Sequence, residues 1–305
     1  MKKRVLLTGA SGFIGRHAIE ALMERDYEVH ALDIKHGPGC EDSKQLIRHE
    51  CDLLDPLQRR NLISDIKATH LLHFAWYTAH GKYWSSLENL RWLEASIDLI
   101  AEFAANGGSR AVIAGSCAEY DWKYGYCSET LTPMNPSTLY GACKHSLHEI
   151  LEHASKELGI SSAWGMVFFL YGPYENPKRI VPAVITSLLK NEPALCSHGQ
   201  QIRDFLHVSD VADAFVAVLE SGYIGSVNIA SGNPVRLRDV IYRIAESMEK
   251  TDLVRLGAVE VSPDEPGMIV ADTSRLKDIG WSAKYDLSAG LEQAIDWWRQ
   301  YLDLG

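Results

Sequence analysis

The sequence predicts an α/β protein: a doubly wound parallel sheet with helices on both faces, followed by a smaller mixed α/β C-terminal lobe. Three observations carry this. Apolar, β-branched runs alternate with helix-period segments through the first 172 residues. Those runs are continuously apolar, as strands buried on both faces must be. The alternation stops at YGPYENPKRIVP (171–182), which is dense in proline and turn residues. The predicted division is a first domain over 1–172, with returning segments from about 203–230, and a lobe drawn mainly from 173–305.

RVLLTGA (4–10) reads as the first strand and 12–25 as the first helix. EVHALD (28–33) is the second strand. After an HGPG loop, IRHECD (47–52) is the third. PLQRRNLISDI (56–66) is a helix with proline in its first turn, where a missing N–H costs nothing. HLLHFAW (70–76) is the fourth strand, 85–108 a long helix closed by glycines, and RAVIAGS (110–116) the fifth strand. A second long helix over 137–159, capped by Ser137 and stopped by Gly159, precedes the strand SSAWGMVFFLYG (161–172). The lobe reads as helices at 180–190, 209–221, 236–249 and 287–303, with short strands near 194–206 and at SVNIA.

Composition narrows the partners. A formal net charge of −10 offers no basic face to nucleic acid or an anionic membrane. No run approaches the ~18 apolar residues of a membrane span. The six cysteines (40, 51, 117, 127, 143, 196) form no CxxC pair and read as reduced thiols of a cytoplasm. The basic-then-apolar start MKKRVLLTGA meets glycine too early for a secretory leader.

TGASGFIG (8–15) falls where the first strand should turn into the first helix. Gly9, Gly12 and Gly15, with Ser11, Phe13 and Ile14 between them, would turn the chain tightly and bring N–H groups against a pyrophosphate. Asp33, ending the second strand, would bind the adenosine ribose and repel a 2′-phosphate. NAD is therefore the expected cofactor, with Lys35 and Arg16 as the residues that keep NADP open. Asp52 has two readings, an acceptor for the adenine amino group or a helix N-cap ahead of Pro56. Leu53, Phe74 and Ala75 complete the expected cofactor set.

In YGACK (140–144), Tyr140 and Lys144 stand four apart, on one helix face. An ammonium near a phenol favours the phenolate and suits Tyr140 to proton exchange near neutrality. Together with Ser116, "HFAW" (73–76), LYGPYE (170–175), RDFLHVSDVADAF (203–215) and DTSRLKDIGW (272–281), the chain resembles the extended short-chain dehydrogenase/reductase family. This is the branch of nucleotide-sugar epimerases, dehydratases and reductases, and the likeness covers nearly the whole chain. The resemblance implies a Rossmann-type domain, a bound nicotinamide cofactor and a Ser116–Tyr140–Lys144 triad. Tyr140 would be the acid/base, Lys144 would hold the cofactor ribose and lower the tyrosine pKa, and Ser116 would align the reacting oxygen.

Departures from the family pattern narrow the reaction. Dehydratases of this kind carry Asp-Glu just after the Ser/Thr; here those places are Cys117 and Ala118, so dehydration is not expected. Dual epimerase-reductases have a cysteine two residues before the motif tyrosine and a histidine beyond "YGP". Here Cys117 comes three before Tyr120, YGPYENPKR has no histidine, and Cys117 reads as a packed thiol bordering the substrate. Redox at C4 of a nucleotide-linked sugar remains, with 4-keto-sugar reduction first and an NAD-retaining 4-epimerase second. A catalytically silent NAD-sensing or scaffold protein is the rival class.

On the substrate side, Arg203 matches the family arginine that grips the diphosphate, its other reading being an ion pair with a neighbouring carboxylate. Leu195, Cys196 and Ser197 would line the base pocket. Glu265-Pro266-Gly267 stands where relatives usually have Arg-Pro-Gly, and Phe169 where many have Asn. Trp76, Tyr77, Tyr83 and Trp84 read equally as a sugar-facing wall or as packing, Trp297 and Trp298 as core. In HSLHEILEH, His145/Glu149 and His148/Glu152 are four apart, but with no third ligand set evident they read as a solvated or subunit-facing surface, and no metal is expected. A homodimer is expected through helices 85–106 and 138–158, whose outer stripes (Leu90, Leu93, Ile97, Ile100; Leu147, Ile150, Leu151, Ala154) would form a four-helix bundle.

Overall fold

The computed structural model describes residues 3–35 and 43–303; the HGPG loop and Cys40 lie outside them. Its strands are β1 (Arg4–Thr8), β2 (Glu28–Asp33), β3 (Leu46–Glu50), β4 (His70–His73), β5 (Arg110–Ser116), β6 (Tyr126–Cys127) and β7 (Ser161–Val167). They continue as β8 (Phe169–Tyr171), β9 (Ala194–Leu195), β10 (Ile202–His207), β11 (Gly225–Ile229), β12 (Pro234–Arg236), β13 (Val254–Arg255) and β14 (Met268–Ala271). The helices are α1 (Gly15–Met23), α2 (Pro56–Ile66), α3 (Glu88–Ala105), α4 (Leu139–Leu158) and α5 (Ile180–Leu189). After these come α6 (Val208–Ser221), α7 (Leu237–Ser247), α8 (Ser274–Asp278) and α9 (Leu287–Asp303).

Seven strands form one parallel sheet in the order β11-β7-β5-β4-β1-β2-β3. Because β1 is flanked by β2 on one side and β4 on the other, the winding reverses there, and a crevice opens at the strands' carboxyl ends. One face is covered by α2, α3 and α4 through Ile63, Leu99, Phe103, Leu147 and Leu151. The other is covered by α1 and α6 through Ala18, Leu22, Val211, Phe215 and Leu219. Each such Leu or Phe contributes about 1.5–3 kcal/mol by leaving water. Helices α5, α7 and α9 close a third core around Ile185, Ile244, Leu291 and Trp298.

Several boundaries differ from the sequence reading for identifiable reasons. The expected strand 161–172 breaks at Phe168: β7 stays in the large sheet, while β8 pairs with β10 in a second one. That second sheet, β12-β10-β14-β6, is built from very short strands without a local pattern, and the five-residue α8 has no periodicity to announce it either. Its staple is buried Asp204, which accepts from Ser231 N (2.8 Å) and Oγ (2.6 Å), Gly232 N (2.9 Å) and Ala271 N (3.2 Å). Helix α4 is capped by Thr138, whose Oγ1 accepts from Gly141 N at 3.1 Å, and not by Ser137. Strand β3 ends at Glu50, two residues before Asp52, and β4 at His73. Of the stripe expected on the outside of α3 and α4, Ile100, Leu147 and Leu151 turn inward into the core. Leu90 (49%) and Ile150 (40%) remain exposed, and Leu93, Ile97 and Ala154 are partly buried.

Candidate active site

The glycine turn sits at the end of β1, in the crevice. Gly9 has φ +67°, and a Cβ there would come within 2.8 Å of Ala75 N. A Cβ on Gly15 would meet Gly9 O at 2.1 Å, and one on Gly12 would meet it at 2.9 Å. Only glycine lets the turn lie this close to the strand end and lets α1 begin at Gly15. Ser11 at the tip is exposed, while Phe13 and Ile14 are partly buried. Asp33 Oδ1 accepts from Ser11 N (2.9 Å) and Ser11 Oγ (2.8 Å), so the carboxylate at the end of β2 is fastened beside the turn. Arg16 folds back onto Gly12 O and Ser11 O and stacks 4.0 Å from the Tyr174 ring centroid.

Asp52 is not the N-cap of α2. Its carboxylate accepts from Leu54 N at 2.9 Å, and the cap is Asp55, which accepts from Leu57 N and Gln58 N. Leu53 is buried and its carbonyl accepts from Arg59. Phe74 packs edge-on against Phe215, and Ala75 N donates to Thr8 Oγ1. Phe74 and Ala75 wall the glycine turn, and the close-approach cradle with a carboxylate at the second strand's end fits a dinucleotide.

Ser116 closes β5, Tyr140 stands in the first turn of α4, and Lys144 follows one turn later. The Ser116 side chain lies near the Tyr140 phenol. The Tyr140 ring is clasped edge-on by Tyr83 (5.0 Å) and Trp84 (5.7 Å). Its N–H donates to Trp84 O. Burial pushes the Tyr140 phenol up from its ordinary value. The expected downward pull of Lys144 is not present in this arrangement. Buried Lys144 points its Nζ at Ala114 O (2.8 Å) and over the Trp76 ring (3.8 Å). Burial lowers its pKa to about 7, against a smaller opposing effect from the Glu119 charge. Trp76, Tyr83 and Trp84 thus pack on the triad.

Glu119 was missed, although Ser-x-x-Glu is a legible capping box. It is fully buried, and its Oε1 accepts from Ser116 N at 2.8 Å, fixing the end of β5. Cys117 is a packed thiol, its pKa raised by burial. Arg203 is buried, stacks 5.2 Å from the Phe169 ring and pairs with Glu265. Leu195 is exposed and Ser197 partly buried, but Cys196 is buried in the lobe core. Beside Arg203 opens a cleft of about 650 Å³ lined by His198, Gln201, Glu260 and Glu265, among others.

A parallel sheet with a glycine turn at its switch point and Ser, Tyr and Lys gathered above the strand ends defines a Rossmann-type nicotinamide-dependent enzyme. The family model for the NAD dependent epimerase/dehydratase family matches residues 5–230. The chain belongs to that family, and NAD is its cofactor. CDP-abequose synthase of Salmonella typhimurium is 27% identical, over 97% of this chain and 98% of that protein. dTDP-glucose 4,6-dehydratase of Xanthomonas campestris pv. campestris is 26% identical, over 96% and 92%. Among solved structures, UDP-N-acetylglucosamine 4-epimerase from Methanobrevibacter ruminantium superposes with a TM-score of 0.88 at 23% identity, covering 100% of both chains. The UDP-glucose 4-epimerase of Thermus thermophilus, in complex with NAD, gives 0.81 at 25%, covering 97% and 99%. Among the described residues, no helix is long and apolar enough to cross a membrane.

Proposed function

We propose that this protein transfers hydride at C4 of a nucleotide-linked sugar, as a 4-keto-sugar reductase. The observation that carries the reading is Ser116 closing β5 beside Tyr140 and Lys144, which stand one turn apart on α4, with no carboxylate at 117 or 118. Glu119, the nearest carboxylate after Ser116, is turned onto the Ser116 backbone and is not offered to a sugar. A dehydratase must remove a carbon-bound proton and expel hydroxide, and this supports assigning the chain elsewhere among its relatives.

In this reading Gly9–Gly15 and Asp33 hold the dinucleotide, whose nicotinamide supplies the hydride when bound. Tyr140 gives its proton to the sugar oxygen as the carbonyl carbon is reduced, and Ser116 holds that oxygen in line. Lys144, once its Nζ turns from Ala114 O toward the cofactor, would stabilise the negative charge that appears on Tyr140. Residues 1–172 with 203–230 carry the cofactor, and the remainder mainly the nucleotide. Arg203 binds the diphosphate by exchanging Glu265 for the stronger anion. The second reading is a 4-epimerase that keeps NAD bound, favoured by the Asp33 carboxylate, which repels the NADP phosphate.

The test is a panel of nucleotide sugars and their 4-keto derivatives, supplied with NADH, NADPH or no added cofactor. Oxidation of reduced cofactor coupled to 4-keto substrate supports the reductase. Interconversion of C4 epimers without added cofactor supports the epimerase. Release of a 4-keto-6-deoxy product from an unmodified hexose overturns both.

A further inference from the structure

Only one oxygen of Glu119 is used by the site above. Oε1 accepts from Ser116 N and from Trp164 Nε1 (3.1 Å), while Oε2 is buried with no hydrogen-bond partner. Facing it, α4 carries His145 and His148, three apart and hence on one side of the helix. Each histidine has its Nε2 on an oxygen: Ser226 Oγ at 2.8 Å for His148, and Glu149 Oε1 at 3.7 Å for His145. Each has its Nδ1 buried and without a hydrogen-bond partner. His148 Nδ1 lies 3.3 Å from Glu119 Oε2, and the three side chains offer ligand atoms within 4.8 Å of one another. Three converging polar atoms, buried and unsatisfied, are costly unless a cation lies among them.

We propose that Glu119, His145 and His148 bind a divalent transition-metal ion of the zinc class immediately behind Ser116. Two imidazoles and one carboxylate suit zinc, with a fourth position left for water. The outer contact of His148 has the form such sites need, since Ser226 Oγ on its Nε2 leaves Nδ1 free to ligate, and Glu149 stands beside His145 Nε2 to take the same part. His148 is further locked by stacking on Trp164, with centroids 5.0 Å apart and planes 2° off parallel. His145, partly exposed, gives the ion a route from solvent and is the ligand that must shift to close the set onto bonds of about 2.0–2.1 Å. The i,i+4 pairs of HSLHEILEH are therefore not the ligand pairs; the third ligand comes from the turn after β5. Because Oε1 of the same carboxylate fixes Ser116 N–H, occupancy would stiffen the end of β5 at the reacting group.

The experiment uses the full chain, freed of metal by chelation, titrated with Zn²⁺ by calorimetry and with Co²⁺ by visible absorption. The expected result is one ion per chain, with the d–d bands of four-coordinate Co²⁺ and no thiolate charge-transfer band. His145→Ala and His148→Gln should each weaken binding by about 100-fold or more, at least the upper range for losing an outer-shell partner. Zn²⁺ should raise the Tm of the parent chain and not that of either variant. Failure to retain one ion per chain overturns the proposal, as does tight binding undiminished in both variants. So does an NMR signature of doubly protonated His148 with Zn²⁺ present, which would mean an ion pair with Glu119 only. Should the variants not fold, the Co²⁺ spectrum of the parent chain decides, and missing d–d bands overturn the site.

Discussion

Lys144 Nζ rests 3.8 Å from the centre of the Trp76 ring and donates to Ala114 O at 2.8 Å, one helical turn from the Tyr140 phenol. The indole is itself fixed, because Trp76 Nε1 donates to Asn89 Oδ1 at 2.9 Å and Asn89 lies in the first turn of α3. A desolvated cation over tryptophan is worth about 2 kcal/mol, which partly offsets the burial that lowers Lys144 to about 7. The ammonium is thus held ready beside the cofactor crevice by an aromatic face and a strand carbonyl, while Tyr140 keeps its proton.

Tyr140→Phe removes that proton and little else, since the ring still fits between Tyr83 and Trp84. Turnover on the identified substrate should fall by about 10²–10⁴, with NAD affinity and Tm nearly unchanged. Steady-state kinetics with a parallel NAD titration checks this. Near-normal turnover would remove Tyr140 as the acid/base.

Asp33→Ala should release Ser11 N and Oγ, weaken NAD binding and narrow the preference for NAD over NADP. Titrating both cofactors into parent and variant measures the change. A parent chain preferring NADP would show that Lys35 and Arg16 govern this corner.

The main sheet was legible in the sequence because its strands are continuously apolar and separated by glycine turns and capped helices; β2, β5 and α2 fall where the pattern puts them. The second sheet was not, because strands such as Tyr126–Cys127 are specified by a distant partner and by Asp204, with no period of their own. At the candidate site, the spacing of Tyr140 and Lys144 fixes a shared helix face but not what the ammonium touches. Trp76 reaches it through the chain reversal after β4, which no local pattern encodes. The same holds for Arg203 and Glu265, which the fold joins across 62 residues.

Asp204→Ala should be severely destabilising for a surface-remote carboxylate. Three backbone N–H groups and the Ser231 hydroxyl would lose their acceptor together. At about 1–3 kcal/mol for each buried group left unsatisfied, the loss should be at least about 3 kcal/mol. Urea unfolding followed by circular dichroism measures it; a loss under about 1 kcal/mol would mean that water replaces the carboxylate.

Acid should destabilise the fold before ordinary carboxylates titrate. His73 is buried between Thr8 Oγ1 (2.6 Å) and Ser96 Oγ (3.0 Å), a chain that the neutral imidazole satisfies. Burial, and then the Lys144 charge, lowers its pKa to about 3. Burial likewise lowers His17 and His70 to about 4. With folded values below the unfolded one of about 6.5, the unfolded chain binds more protons between them. This stability is full above about pH 6.5 and is lost as pH falls toward the folded values, by up to about 1.4 kcal/mol per pH unit for each group. Urea midpoints should fall between about pH 6.5 and pH 5, and His73→Gln should shallow that fall. A midpoint unchanged down to about pH 5 would show that these imidazoles ionise within the fold.

A homodimer through α3 and α4 would have a smaller apolar stripe to bury than the sequence suggests. Helices α3 and α4 pack side by side, and Ile100, Leu147 and Leu151 are used up inside the subunit. What faces outward is Leu87 (72%) and Leu90 (49%) around the start of α3 and Ile150 (40%) on α4, bordered by partly buried Leu93, Ile97 and Ala154. Three large apolar side chains on adjoining helices are more than a wet helix pair needs. A twofold axis beside them would bury each stripe against its own copy, the isologous arrangement that closes at two subunits. The charges beside the stripe, Glu149 and Glu152 on α4 and Arg91 and Glu94 on α3, are of both signs and allow cross-subunit pairing at a polar rim. Light scattering at micromolar concentration should therefore give about twice the 34.0 kDa chain mass. Leu90→Glu with Ile150→Glu, placing like charges against each other across the axis, should halve that mass without altering the circular dichroism spectrum. A parent chain that stays at monomer mass on concentration would reject the bundle, and a double variant that stays dimeric would place the interface elsewhere.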